Sequence, residues 1–497
     1  MQPSVIISEL DGQLGIVPST STRALAVVGC STGGVLNQPT PLATVDGIAT
    51  AFGGGPMPEA AALAIGQGVP VLCVRAAAGA SDFGSVSALF DVVADGASTS
   101  TLGVTAPDAT NYPTDDLYVV FEIVKGGTVG TDGITYRYSV NGGGEWSPII
   151  ALGTDTSAVL ANAGSVEVTL AAGNVTAGDS ISFTTTAPTF TISSLGDAFD
   201  ALALSNINWE IVEVVGALDP TGAAAVESAI AAMRAKDRRH SWIGSARQQE
   251  QYDGTTGPES AATYIADISA AFTAFTTKQG GLTAGDGYLI SGLTGLEQRR
   301  PLAWLYAPIT QAASEEIDVA DVNRGSLPFR ITDINGNPEV ACYNETLYPG
   351  LSDAGFVTAR TWAAGPAGVY INLPLLKSAA GSDYDIHPMR RVMDLAQDAA
   401  YQFFVRRLNQ PVQVDKATGK LKESARMAMQ SAAQATQESV LLAKPKASAV
   451  TVTVSDQDNV LSTKTIHVTI KIVPLAYPTT IVVTMGFENP ALTVQVA

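Results

Sequence analysis

Arg23-Ala-Leu-Ala-Val-Val28 is apolar without alternation and is closed by Gly29. A strand with one wet face alternates. An unbroken apolar run marks a strand buried on both faces, as in a parallel sheet covered by helices. Val69-Pro-Val-Leu-Cys-Val74 repeats the pattern. Between the two runs, Pro58–Gly66 is Ala-rich and reads as a helix, and Ser85–Asp95 beyond them reads as another. Residues 21–97 therefore read β, loop, α, β, α, the beginning of an α/β layer.

The same texture returns after residue 190. Phe199–Leu204, Gly222–Lys236 and Ala261–Phe275 read as helices, while Trp209–Val215, Ser241–Gly244 and Val369–Leu373 read as strands. Residues 21–97 plus 191–375 are thus expected to form one α/β core. Residues 98–190 differ. Tyr118–Val124, Ile134–Val140, Ser165–Leu170 and Asp179–Thr185 alternate β-branched or aromatic residues with polar ones, and Asp132-Gly133 and Asn141-Gly142 are hairpin dipeptides. With no helical pattern between them, these strands predict an inserted all-β domain, a sandwich or small barrel. Residues 376–479 predict an α+β C-terminal domain. Its helices are Pro388–Asn409 and Leu421–Ala443, and its strand-like segments are Ala449–Val454 and Thr465–Ile472. Residues 1–20 and 480–497 read as extended arms, the second opening on a strand-like Thr480–Met485. The fold class is multidomain α/β.

Composition narrows the function. At roughly 100–200 residues per domain, 497 residues suggest about three domains. Charged residues are 15% of the chain, against an ordinary share of about 25%. The net charge of −19 argues against nucleic acid, which needs a basic footprint, and against docking on an anionic membrane. No apolar run approaches the roughly 18 residues of a membrane span, and Met1–Gly12 lacks the basic and apolar regions of a signal peptide. Cys30, Cys73 and Cys342 are too few and too scattered for a disulfide framework or a zinc site. A reducing cytoplasm suits them.

Chemistry-bearing patterns are weak. Gly29-Cys30-Ser31-Thr32-Gly33 matches G-x-S-x-G after a buried strand, the nucleophile elbow of α/β-hydrolases. The helix that must follow is missing, because Gly34 and Asn37-Gln-Pro39-Thr-Pro41 come next. The stretch matches neither phosphate-loop pattern. His240 stands at a helix-to-strand junction and His467 within a strand, positions more ordinary for packing than for catalysis. Asp456-Gln-Asp458-Asn459 has part of a calcium loop without its Gly and Glu, and reads better as a polar turn. No catalytic, cofactor-binding or metal-ligating residue is assigned. One anomaly is charge: residues 376–450 balance to +4, leaving −23 for the rest. Arg390, Arg391, Arg406 and Arg407 bracket a helix whose apolar stripe is Val392, Ala396, Ala399 and Phe403. Cations at a helix start are disfavoured by its dipole, so Arg390 and Arg391 suggest an acidic partner, against the plainer reading of a solvated face.

Several strings together resemble the tail sheath proteins of contractile phage tails and related contractile injection systems. They are the opening arm followed by Arg23–Gly29 and Gly33-Gly34…Asn37-Gln-Pro39; Tyr348-Pro-Gly350 through Arg360-Thr361 with Gly368-Val-Tyr370-Ile; Asp385-Ile-His-Pro-Met-Arg-Arg391-Val-Met-Asp; and Ile472-Val-Pro474-Leu-Ala-Tyr-Pro478 before a last strand. The insertion, with Tyr136-Arg-Tyr-Ser139-Val-Asn-Gly142 and Trp146-Ser147, is similar to immunoglobulin-like modules of phage structural proteins.

The resemblance implies a non-enzymatic structural subunit without cofactor. It implies stacked rings forming a helical homo-oligomer around an inner tail tube, with baseplate and tail terminator proteins as further partners. It implies no direct nucleic acid contact and no membrane insertion. The expected location is a virion tail assembled in the host bacterial cytoplasm, where contraction drives the tube through a target envelope. Val5, Ile6 and Ile7 in one arm and Ile481, Val482 and Val483 in the other are expected to pair with neighbouring subunits near the C-terminal hairpin. Arg390, Arg391, Arg406 and Arg407 are expected to face the tube. Two other readings stand beside this one: a static structural or adhesive protein, such as a tail-fibre or surface-layer subunit with an Ig-like module, and a serine hydrolase using Ser31.

Overall fold

The computed structural model describes residues 23–250, 258–331 and 342–487. Residues 1–22, and with them Val5, Ile6 and Ile7, lie outside the described residues. The chain falls into two compact units, one ending at Asp398 and one beginning at Ala399.

The first unit is built on a six-stranded sheet in the order Gly280–Thr283, Ser241–Ser245, Trp209–Ala217, Ala24–Gly29, Val71–Arg75, Thr40–Leu42. All pairings are parallel except the last. Side chains alternate across the sheet. Leu25, Val27, Val71, Cys73, Ile211 and Ile243 pack against helices Pro56–Gly66 and Ala303–Ala312. Ala24, Ala26, Val28, Leu72, Val74, Val212 and Trp242 pack against helices Ile192–Leu204, Pro220–Arg234 and Ala261–Ala271. This two-sided burial is why the strand at residue 24 reads as an unbroken apolar run. The helices start where the sequence offers caps. Thr191 and Ser194 form a capping box, Asp219 accepts from the Gly222 N–H ahead of Pro220, and Ser260 accepts from Thr263.

Between Val71–Arg75 and Ile192–Leu204 the regular structure is β, apart from one 3-10 turn at Ala161–Ala163. One sheet runs Ile150–Ala151, Thr135–Ser139, Leu117–Lys125, Ser180–Thr186, Ser85–Val86, with Phe90–Val93 also on Ser180–Thr186. A second sheet holds Ser157–Leu160, Val166–Leu170 and Leu102–Val104. The two share a core that includes Val119, Phe121, Tyr138, Leu160, Val168, Ile181 and Phe183. The helix expected over Ser85–Asp95 is corrected here: the segment supplies two strands, and Asp91 takes a left-handed φ of 48° that no helix interior accommodates. Pairing with Ser180–Thr186 overrides the local pattern. The β region thereby opens at Ser85, not at residue 98, and closes where Thr186 pairs back to Ser85. Gly84 has a φ of 72°, and a Cβ there would stand 2.3 Å from the Thr186 carbonyl oxygen, so only glycine lets the two ends meet this closely.

Arg300 fastens this β region to the sheet layer. Its guanidinium is fully buried, 2.6 Å from Glu59 of helix Pro56–Gly66 and 2.6 Å from Asp115, just ahead of strand Leu117–Lys125.

The second unit holds helix Glu423–Leu441 and an antiparallel hairpin, Ala447–Val454 with Val468–Pro474. Between the strands, Asn459 caps a single helical turn, Val460–Thr463. Val450, Val452 and Val454 are buried, while Thr451 and Thr453 point to solvent.

Candidate assembly surface

The hairpin's second strand exposes its residues in alternation. Val468, Ile470 and Ile472 are half-buried and share a face with Val450, Val452 and Val454, because directly paired residues point the same way. Thr469 and Lys471 are exposed on the other face. A two-stranded ribbon is marginal in water by itself and has two edges.

Downstream, Thr480–Met485 was expected to be a strand and forms none with the described residues. Ile481, Val482 and Val483 are 78%, 85% and 69% exposed, with Met485 and Phe487 also in solvent. Among the described residues this β-branched, exposed segment joins no ladder.

The four arginines part company. Arg390 and Arg391 were expected at a tube-facing surface, and their burial corrects that expectation: they are 4% and 3% exposed. Arg390 closes the first turn of helix His387–Val405 and Arg391 opens the second, both on the side turned to the sheet layer. Arg391 donates to Glu210 at 2.7 Å and to the carbonyl oxygens of Thr310 and Ala313 at 2.8 and 3.0 Å. These carbonyls close the end of helix Ala303–Ala312, whose last turn leaves acceptors unpaired. Arg390 donates to Asp394 at 2.5 Å and lies over the Tyr384 ring, and Arg234 also holds Asp394. The positive charge at the helix start is thus balanced internally. Burial alone would push the Glu210 carboxyl up, but Arg391 and Arg23 more than offset it and hold its pKa at about 2. In the second unit, Arg406 is exposed, while Arg407 is half-buried and stacks on the Phe403 ring.

The sequence offered one signal for this network and it went unused. Trp209-Glu-Ile-Val-Glu-Val-Val215 puts two carboxylates into a buried strand, and a buried carboxylate asks for a cation. Glu210 has found two.

The remaining candidates sit in plain structural roles. The Ser31 hydroxyl donates to the Gly33 carbonyl at 2.9 Å. Burial pushes the neighbouring Cys30 thiol up to about 11, so it stays protonated at neutral pH. A cavity of about 420 Å³, lined in part by Cys30, Asp116, Arg247, Glu297, Arg299 and Trp304, lies between the β region and the sheet layer. His240 is buried and stacks on Trp209 at 3.6 Å, and burial lowers its pKa to about 3. His387 is buried between Tyr306 and Ser241. His467 meets Asp458 at 2.8 Å across the hairpin's end. Among the described residues no cluster of His, Cys, Asp or Glu could hold a metal ion, and no helix is long and apolar enough to cross a membrane.

Against solved structures, the chain is similar to the sheath of an extracellular contractile injection system in its contracted state, at 8% identity, with 98% of each chain covered and a TM-score of 0.51. It also matches sheath tail proteins of Desulfitobacterium hafniense (12% identity, 95% of this chain and 100% of that one, TM-score 0.45) and of Listeria innocua (11%, 92% and 96%, 0.44). At such identities the first likeness is one of fold: the chain has the fold of a contractile tail sheath protein. No curated protein sequence matches it. The C-terminal domain model of DUF2586 matches residues 383–492, and the N-terminal domain model matches residues 2–279, more than half of the sequence, so the chain belongs to the DUF2586 family.

Proposed function

We propose that this chain is the structural subunit of a contractile tail sheath, polymerising helically around an inner tube and contracting to drive that tube through a target cell envelope. The observation that carries this reading is the correspondence of fold with an injection-system sheath across 98% of both chains. The second unit adds support. An exposed β-prone segment and a hairpin are the two halves of a strand exchange between subunits, in which main-chain hydrogen bonds join copies without demanding exact side-chain fit. Such head-to-tail joints generate an open helix. They can hold while rigid bodies shift between two packings. In this reading Val5, Ile6, Ile7, Ile481, Val482 and Val483 make the inter-subunit pairings. The tube-facing role falls to the exposed Arg406 with Arg407, since Arg390 and Arg391 serve inside. The inserted β region, Ig-like in sequence texture, is placed on the outer surface. Baseplate and terminator proteins close the two ends.

Negative-stain microscopy of the purified full-length chain tests the proposal. Tubular polymers with helical striations are expected. Flat lattices, or monomers at every concentration and salt tried, overturn it.

A further inference from the structure

One edge of the hairpin is already occupied, by side chains. Along an antiparallel strand, successive residues turn their N–H and C=O groups to opposite edges. The Ser455 N–H donates to the His467 carbonyl at 2.9 Å, which sets the phase. Thr451, Thr453 and Ser455 turn towards the partner strand, and Val450, Val452 and Val454 turn away from it. On that outer side stands helix Glu423–Leu441. The Gln434 side-chain amide accepts from the Val452 N–H at 2.7 Å and donates to the Val450 carbonyl at 2.8 Å. This is the bonding that one residue of a parallel neighbouring strand would give through its C=O and N–H. Gln430 accepts from the Val454 N–H at 3.2 Å, and Arg426 donates to the Val454 carbonyl at 3.2 Å. The spacing makes the match general: four residues of helix rise about 6 Å and two residues of strand about 6.8 Å. Glutamines four apart on the helix thus fall in step with alternate residues of the strand.

The second strand has no such cover. Val468, Ile470 and Ile472 turn their backbone groups outward, and among the described residues no side chain bonds them. Their half-buried side chains extend the apolar face packed by the helix. In Thr480–Met485, the residues Ile481, Val483 and Met485 share one face and can continue that apolar surface. Thr480, Val482 and Thr484 would then join Thr469 and Lys471 on the solvent side.

We infer that Gln430 and Gln434 close strand Ala447–Val454 to addition, so that the Thr480–Met485 segment of a second copy can add only along Val468–Pro474. The inference rests on the strand-exchange reading and assigns its edge. Disulfide trapping in the full-length chain tests it. Val482→Cys is combined either with Thr469→Cys on the open strand or with Thr451→Cys on the closed one, and with neither as the control for the native cysteines. Under mild oxidation, a ladder of covalent multimers is expected with Cys at 469 and none above control with Cys at 451. Adding Gln430→Met and Gln434→Met should bring out the 451 ladder. Equal ladders from both positions in the otherwise native chain overturn the edge assignment while leaving strand exchange in place. So does a 451 ladder that stays absent in a folded double-Met variant. If neither position yields a ladder although tubes form, strand exchange itself falls, and the edge assignment with it.

Discussion

Arg391 and Glu210 illustrate how a buried charge becomes structural. Removing one member of a buried pair strands the other, at a cost of about 3–5 kcal/mol. Arg391→Met should therefore lower stability to urea by about that much, and adding Glu210→Met should recover a large part of it. Chemical denaturation of the two variants checks both. Equal losses in both would mean that Arg391 acts through the carbonyls of Thr310 and Ala313 instead. With a folded pKa near 2, Glu210 contributes its stabilisation in full above about pH 4.3, and that contribution fades as pH falls towards 2. Glu213, three residues along the same strand, is the opposite case. It is fully buried, both of its carboxylate oxygens have no hydrogen-bond partner among the described residues, and burial raises its pKa well above the ordinary value. The folded chain keeps its proton while the unfolded chain loses it above about pH 4.3. Stability therefore falls by about 1.4 kcal/mol per pH unit from there until the folded pKa is reached. Glu213→Met should raise the melting temperature at pH 7 and flatten that decline; a melting curve series from pH 4 to 8 in which the slope is unchanged would count against it. Both carboxylates were visible in the sequence as misfits in an apolar strand. Which would be paired was not, because Arg391 is separated from Glu210 by 181 positions in the chain.

At the scale of elements, the β insertion has the clearest consequences. Its ends meet at Ser85 and Thr186, and Asp82 binds both the N–H and the hydroxyl of Thr189 just outside. Replacing residues 85–187 with a short Gly/Ser linker should leave the sheet layer folded, with Arg300 still paired to Glu59. Cutting at 98 and 190 should do worse. That cut strips Ser85–Val86 and Phe90–Val93 of their partner strand, and removes Thr189 from Asp82 and Phe190 from its seat against Gly216. Thermal unfolding of the two deletions side by side decides: the expected order is the 85–187 deletion above the 98–190 deletion, and the reverse order would show that the strand pairing misplaces the joint. The sequence pattern put the boundary too late because Ser85–Asp95 is short, mixed and locally helix-compatible. Only its pairing with a segment nearly a hundred residues away makes it β.

For the molecule as a whole, the reading went furthest where burial leaves an imprint on composition. Ala24–Gly29, Val71–Arg75 and Trp209–Ala217 announce themselves as two-sided strands. Gly280–Thr283 does not, because the Trp242 indole occupies the room a side chain would take: a Cβ on Gly280 would stand 2.1 Å from that ring. Helix Ala303–Ala312 hides behind Pro308, which a pattern reader takes for a break. The tail reads as a strand in the sequence but joins no ladder among the described residues; on the proposed strand exchange its partner lies in another copy, which leaves no mark in one chain. The side-chain ladder of Gln430 and Gln434 left only two unremarkable polar residues in a helix. Yet that ladder fixes a valence. For the C-terminal segment taken alone, a hairpin with both edges open would offer two seats while each chain supplies one such strand, and the joint would have no unique site. With one edge closed, each chain in the proposed assembly gives one C-terminal segment and takes one, and that count balances everywhere except at the extremities. There, one terminus is left with idle donors and the other with vacant acceptors. On this reading the two ends of the proposed polymer are chemically different objects, and no single capping protein would serve both by the same contact.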